Sequence, residues 1–337
     1  MLDEAARPPI RRPVRPPLAW LAAAAAALAA IVLVPMLLDA LWLKILISAV
    51  IYMLPAAGLA LLYARLGLVS LAQVALIGVG GWVTLKMWHG SGLPFEIDML
   101  GGGLAAGLTG ILIGLPALRM RGLYFALISL MGAAGFQIFI TATQFPNGGP
   151  GWLGVTRSTS VFMTRPFLGQ SDQAMFRYVA VVALLGFLLV ELNRRRRPGR
   201  AWALIRKSEA CAVAAGVDVA LYKIWAFALS GFLAGIAGAL LAATIGVLDA
   251  RTFPAGDSVL LFALTVVGGA FGWAGQIVTG LLFRAFPAFL NDIGVDGDLA
   301  YVIFGAALLH ALITAPTGIA GQIGDAFGRL ARRRRGG

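Results

Sequence analysis

"NRRRRPGRAWALIRKSEACAVAAGVDVALYK", residues 193–223, packs eight Lys or Arg residues into one stretch of a chain that is only 12% charged overall. On either side the sequence is a succession of apolar runs separated by short polar breaks. Of its 337 residues 60% are hydrophobic, too large a share for a water-soluble domain. The chain therefore reads as an integral membrane protein. Each span needs roughly 20 mostly apolar residues, and its backbone polar groups must be satisfied within the protein. Long alternating apolar and polar segments are missing, which argues against a membrane barrel. The expected fold is an all-α polytopic membrane protein.

Ten helices are expected. The first is the run 18–38, too long for a signal-peptide core and followed at once by a second apolar segment, so it reads as a retained anchor. Others are expected at about 43–63, 67–88, 99–117, 121–143, 176–192 and 224–248, then two short Gly-broken pieces at about 257–271 and 274–290, and a last at about 299–315. Residues 1–17 read as a basic disordered tail, 18–320 as the transmembrane domain and 321–337 as a second basic tail. The charge pattern supports the count. With the N-terminus inside, ten spans put 20 of the 27 Lys and Arg on the cytoplasmic face and six opposite, with Arg284 left inside a span. A single kinked span over 257–290 would instead send the Arg-rich C-terminus outward. Both termini are thus expected in the cytoplasm, with 194–223 a cytoplasmic loop and 146–175 an outer one.

Several kinds of chemistry are excluded. None of Lys44, Lys86, Lys207 and Lys223 follows a glycine, so there is no phosphate-binding Walker loop and the chain is not expected to hydrolyse ATP. One cysteine, Cys211, and two histidines, His89 and His310, cannot make a zinc site or a recognisable catalytic constellation. No catalytic residue, metal ligand or cofactor is assigned. The net charge of +12 follows from topology and attraction to anionic lipid headgroups, so no nucleic-acid partner is inferred. Acidic residues fall mostly at span ends and loops, unlike the buried carboxylates of an ion-driven carrier. The spans carry neutral polar groups instead. Ser70, Gln73, Ser129 and Gln137, with Gly268 and Gly269 at the helix break, are the candidate lining of a pathway for a small polar or zwitterionic solute. Close helix packing is the alternative for the small residues.

Within the cationic stretch, Arg200 to Ala215 is Ala-rich, free of Pro and Gly, and bounded by Gly216, a natural residue just past a helix end. It is expected to form one helix. Asp218 is placed to cap the next. At 100° per residue Trp202, Ile205, Arg206 and Glu209 share a face about 100° wide. An apolar patch rimmed by charge marks a candidate partner-binding surface.

These motifs resemble the permease subunits of ABC importers for branched-chain amino acids. The likeness is strongest over "GRAWALIRKSEACAVAAGVDVALYKIWAF" (199–227), where Gly199, Arg200, Ile205, Arg206, Glu209, Ala212, Ala214, Gly216, Tyr222, Lys223, Ala226 and Phe227 coincide in order and spacing. "GLVSLAQVALIGVGGW" (67–82), "LRMRGLYFALISL" (118–130) and "VVGGAFGWAGQIVTG" (266–280) match further family segments, and "NGGPGWLGV" (147–155) does so more loosely. The resemblance implies that 199–216 is the coupling helix that docks into a separate ATPase, with Glu209 and Gly216 as its signature positions, and Arg200, Trp202, Ile205 and Arg206 complete the expected contact. It also implies a homologous permease partner, two cytoplasmic ABC ATPases, an extracytoplasmic solute-binding protein and a bacterial inner-membrane location. Branched-chain amino acids are the implied solutes, with urea, short amides and other amino acids as relatives. A secondary carrier or channel is the alternative from outside the family. Where the family often has a second Glu this chain has Val213, and Ala72 stands in place of a glycine.

Overall fold

The computed structural model describes residues 28–120, 122–147, 161–294, 299, 302, 305–306 and 318–322, and the described residues contain helices and no strand. The order is α1 (Leu28–Leu37), α2 (Ala40–Leu61, continued by a π turn, Leu62–Leu66), α3 (Gln73–Ser91), α4 (Phe95–Gly114, closed by a 3-10 turn, Leu115–Leu118) and α5 (Leu123–Thr143). Next come α6 (Asp172–Arg195), α7 (Arg197–Lys207), α8 (Glu209–Ala214) and α9 (Val219–Ile245). The last are α10 (Ala255–Gly269), α11 (Trp273–Gly280), a π turn (Leu281–Ala285) and α12 (Phe286–Asp292).

Among the described residues seven helices are long and apolar enough to cross a membrane: Ala40–Leu66, Phe95–Leu118, Leu123–Thr143, Asp172–Arg195, Val219–Ile245, Ala250–Gly269 and Trp273–Asp292. This is fewer than the ten expected. The first expected span is described only from residue 28, and most of 299–315 and both tails lie outside the described residues. The expected span at 67–88 is different in kind. Gly67 ends the π turn with φ 71°, residues 67–72 are not helical, and α3 starts only at Gln73. No residue from Gln73 to His89 is exposed. A helix enclosed by protein need not be apolar all round, which is how α3 carries Gln73, Thr84 and Lys86 without being as apolar as the seven. The break near 270 is present as expected, between the 15-residue α10 and the 8-residue α11, and with their flanking turns and α12 the two pieces make spans of 20 residues each.

The core is a three-helix layer. α9 packs most extensively against α4 and α3, which also pack on each other. Its sequence, rich in Gly and Ala, lets the backbones touch. A Cβ built on Gly235 would lie 2.7 Å from the Gly102 carbonyl oxygen and 2.8 Å from Gly103 Cα. In a membrane, where lipid is as apolar as leucine, such van der Waals contact is a main source of helix association. α2 lies against α6, α9 and α11. α5 is the least buried of the seven spans, and it presents Leu123, Leu127, Met131 and Ile138 outward.

Gly235→Ala is expected to destabilise the purified protein by about 1–3 kcal/mol through overpacking. Gly256→Ala, where an added Cβ meets nothing within 4 Å, is the control. It should leave thermal unfolding in detergent unchanged.

Candidate functional site

The segment 197–216 folds as two helices, not the single one expected. Ser208 takes an extended conformation, and its Oγ accepts from the Cys211 amide at 3.3 Å, capping α8 just as α7 ends. A serine inside a helical pattern competes for the backbone, which is the physical reason for the break. The expected C-terminus holds. Gly216 has φ 76°, its amide donates to the Val213 carbonyl at 2.9 Å, and the Val217 amide donates to the Ala212 carbonyl at 2.9 Å. Asp218 caps α9, accepting from the Leu221 amide at 3.0 Å.

Trp202, Ile205, Arg206 and Glu209 all find partners within the protein, but not on one helical face: the break at Ser208 puts Glu209 on α8, and Arg206 stays exposed. Trp202 is 0% exposed, and its Nε1 donates to the Tyr222 carbonyl of α9 at 2.8 Å. Ile205 is buried beside it. The Arg206 guanidinium donates to the Ala64 carbonyl in the π turn after α2 and sits 5.3 Å from the centre of the Phe271 ring. Glu209 Oε1 pairs with Lys223 Nζ at 2.9 Å. An amphipathic helix at a membrane protein's surface buries its apolar stripe in the protein, so the stripe is the attachment and the opposite face is presented. That face carries Arg200, Ala203, Leu204 and Lys207 on α7 and Ala210, Cys211, Val213 and Ala214 on α8, followed by exposed Ala215 and Gly216. Val213 is 63% exposed.

The arginine run next to it is only partly free. Arg194 and Arg195 both bind Glu191, at 2.6 and 2.5 Å, and Arg194 lies 5.8 Å from the Trp273 ring centre. Arg196, Arg197 and Arg200 are exposed. Asn193 accepts from the Trp225 indole at 2.9 Å. The end of α6, from which α7 leaves, is thus fixed to α9 and α11 by Asn193 and Arg194.

Ser70, Gln73 and Ser129 are all buried, and Gln73 and Ser129 have structural partners. Ser129 Oγ of α5 accepts from the Leu71 amide at 2.8 Å, and Ser258 Oγ of α10 accepts from the Val74 amide at 3.1 Å. Gln73 Nε2 donates to the Ser230 carbonyl at 3.2 Å, and the Ser230 hydroxyl donates back to Gln73 Oε1 at 3.3 Å. Ser129 and Ser258 satisfy the Leu71 and Val74 amides of the opened stretch, where a buried unpaired amide would cost about 1–3 kcal/mol. Ser230 and Ser258 belong to this group and were missed. Their signal in the sequence was a lone serine in each of two largely apolar spans. Gln137, two turns along α5 from Ser129, accepts from the Ala255 amide at 3.0 Å. It lines an open cleft with Thr141, Gln144, Asn147, Asp249 and Arg251. Gly268 and Gly269 pack against α11, with Gly268 beside Thr279 and Gly275. The structure therefore divides the expected lining into a buried hydroxyl and amide cluster, a cleft, and a packed helix break.

Arg284, unexplained by the sequence, donates to the Tyr52 hydroxyl at 2.9 Å and stacks 4.6 Å from the Tyr52 ring centre and 5.5 Å from that of Phe283. Two aromatic faces and a phenol thus shield the charge. Of the loop expected outside, Asn147 makes paired hydrogen bonds with Leu248, at 2.7 and 3.1 Å. Most of its remaining motif lies outside the described residues. Among the described residues no group of three His, Cys, Asp or Glu side chains is placed to hold a metal.

Seven helices of membrane-spanning length, with a helix pair exposed between two of them, define a multi-pass helical membrane protein. The chain belongs to the family described as branched-chain amino acid transport system permease component, which matches residues 41–312. It is 26% identical over 289 residues to the high-affinity branched-chain amino acid transport system permease protein LivM of Salmonella typhimurium, covering 80% of this chain and 67% of that one. The LivM of Escherichia coli gives the same figures. The D-allose transport system permease protein AlsC of Escherichia coli is 26% identical over 250 residues, covering 72% of this chain and 74% of that one. No solved structure matches the chain.

Trp202→Ala should lower stability by about 3–5 kcal/mol, the cost of emptying a fully buried aromatic site, whereas Arg200→Ala on the presented face should change it by less than about 0.5 kcal/mol. Chemical unfolding of the purified variants in detergent separates the two.

Proposed function

We propose that this chain is the membrane-spanning permease subunit of an ABC importer for branched-chain amino acids, working in the inner membrane with a homologous permease, two cytoplasmic ATPases and an extracytoplasmic solute-binding protein. The observation that carries it is the α7–α8 pair, held to the bundle on one side and open on the other, in a chain whose family is that of transport permeases. A part that receives force from a soluble subunit needs this combination. It must be rigidly tied to the spans and must leave a complementary surface free.

In this reading 199–216 is the coupling segment. Leu204, Ala210, Val213, Ala214 and Gly216 meet the ATPase, and Trp202, Ile205, Arg206 and Glu209 hold the segment in register. Arg200 lies at the rim of the contact. Ten spans with both termini in the cytoplasm put this surface on the ATPase side, in agreement with the basic residues concentrated there. The chain itself does no catalysis and needs no cofactor. For the pathway, Gln137 in the open cleft is the residue placed to meet solute, while Ser70, Gln73 and Ser129, with Gly268 and Gly269 at the helix break, frame the helices that must move around it.

The resemblance to LivM supports branched-chain amino acids as solutes. A second reading, a sugar pathway on the same scaffold, is favoured by the likeness to AlsC and to the galactofuranose transporter permease protein YtfT of Escherichia coli, 28% identical over 261 residues.

Proteoliposomes holding this chain, its permease partner and the two ATPases, supplied with the binding protein encoded beside them, should take up radiolabelled leucine, isoleucine or valine only with internal ATP. Uptake of a monosaccharide instead would select the second reading. ATP-independent uptake by the permease alone would overturn both.

A further inference from the structure

Lys223 stands in the first turns of α9, yet it is only 2% exposed. Its ammonium donates to the Ala117 carbonyl at 3.2 Å and pairs with Glu209 Oε1 at 2.9 Å. Ala117 lies in the 3-10 turn that closes α4, and Glu209 is the first residue of α8. One buried cation therefore joins the presented helix to the ends of the two spans that pack most extensively on each other. Attraction between such charges is strong where water is scarce, and stripping one partner leaves a charge that the site cannot solvate. Displacement of α8 must then carry Lys223, and with it α9 and the Ala117 turn, or else break the pair at high cost. The other attachments, Trp202 to Tyr222 and Arg206 to Ala64, hold α7, not α8.

We propose that Glu209 is a positioning residue that acts inward, through Lys223, to transmit movement of α8 to α4 and α9, and is not a docking contact with the ATPase. The proposal rests on the reading of α7–α8 as the coupling segment. It assigns the same role to Lys223, a residue too buried to touch any soluble partner.

The two sites are compared in the reconstituted complex by measuring ATP hydrolysis and solute uptake in the same vesicles for Glu209→Gln, Lys223→Gln and the double variant. Each variant should retain its ATPase subunits through purification, and the solute moved per ATP should fall about tenfold, of the order expected for losing one coupling contact. The double variant, which leaves no lone buried charge, should be no worse than either single one. Lys223→Arg, keeping the cation, should restore most of the coupling. Loss of the ATPase subunits in Glu209→Gln but not in Lys223→Gln would overturn the proposal in favour of docking. So would losses that multiply in the double variant, or a solute-to-ATP ratio left intact. Failure of the unmodified complex to import solute at all would strike the functional reading instead.

Discussion

Backbone contact along α9 is the constraint on which the rest of the structure depends. Gly231, Gly235 and Gly238 remove the side chains that would hold α9 away from α4 and α3. The resulting layer encloses α3 so fully that the helix can carry polar groups. The same closeness brings the Ala117 turn at the end of α4 within reach of Lys223 at the start of α9. Nothing at the α7–α8 end would be in register if these helices were spaced by ordinary side chains, since interaxial distance follows directly from the residues at the contact.

A second consequence is that opened backbone can be tolerated deep in the bundle. Residues 67–72 leave the helical ladder, and hydroxyls from α5 and α10 supply the missing acceptors. Three spans thereby meet at one non-helical stretch. Irregular backbone in a membrane protein persists only where protein or a water-filled cavity satisfies it, so 67–74 is a joint as well as a connector. The Gly-rich break between α10 and α11, which packs against the end of α2 through Ala60, Ala64 and Ala270, is a second such joint, closed by Gly268, Thr279 and Gly275.

Much of this was legible in the sequence, because the membrane imposes length and apolarity so severely. The spans at 43–63, 99–117, 121–143, 176–192 and 224–248 fall within a few residues of the observed helices, and the split near 270 follows from the glycines there. Gly216 and Asp218 announced their caps correctly. What periodicity could not supply was direction. Trp202, Ile205, Arg206 and Glu209 all find partners, but an angular calculation on one continuous helix shows neither the break at Ser208 nor whether the side chains meet their own protein or a partner. The decisive facts are long-range, namely the Tyr222 carbonyl, the Ala64 carbonyl and Lys223. Ser208 hid a helix break because its cap to Cys211 is a local choice that overall helix propensity does not reveal. Ser129 and Gln73 looked like lining because polarity in a span is visible in sequence, whereas the backbone amides and carbonyls they serve are not.

The central claim is that α7–α8 presents the face opposite its buried stripe to a cytoplasmic ATPase. The single cysteine of the chain, Cys211, lies exposed on that face, and a membrane-impermeant maleimide reports on it directly. The account predicts rapid labelling in inverted membrane vesicles, none in right-side-out vesicles, and protection when the ATPase subunits are bound. Labelling from the outer side, or labelling in inverted vesicles that bound ATPases do not slow, would contradict it.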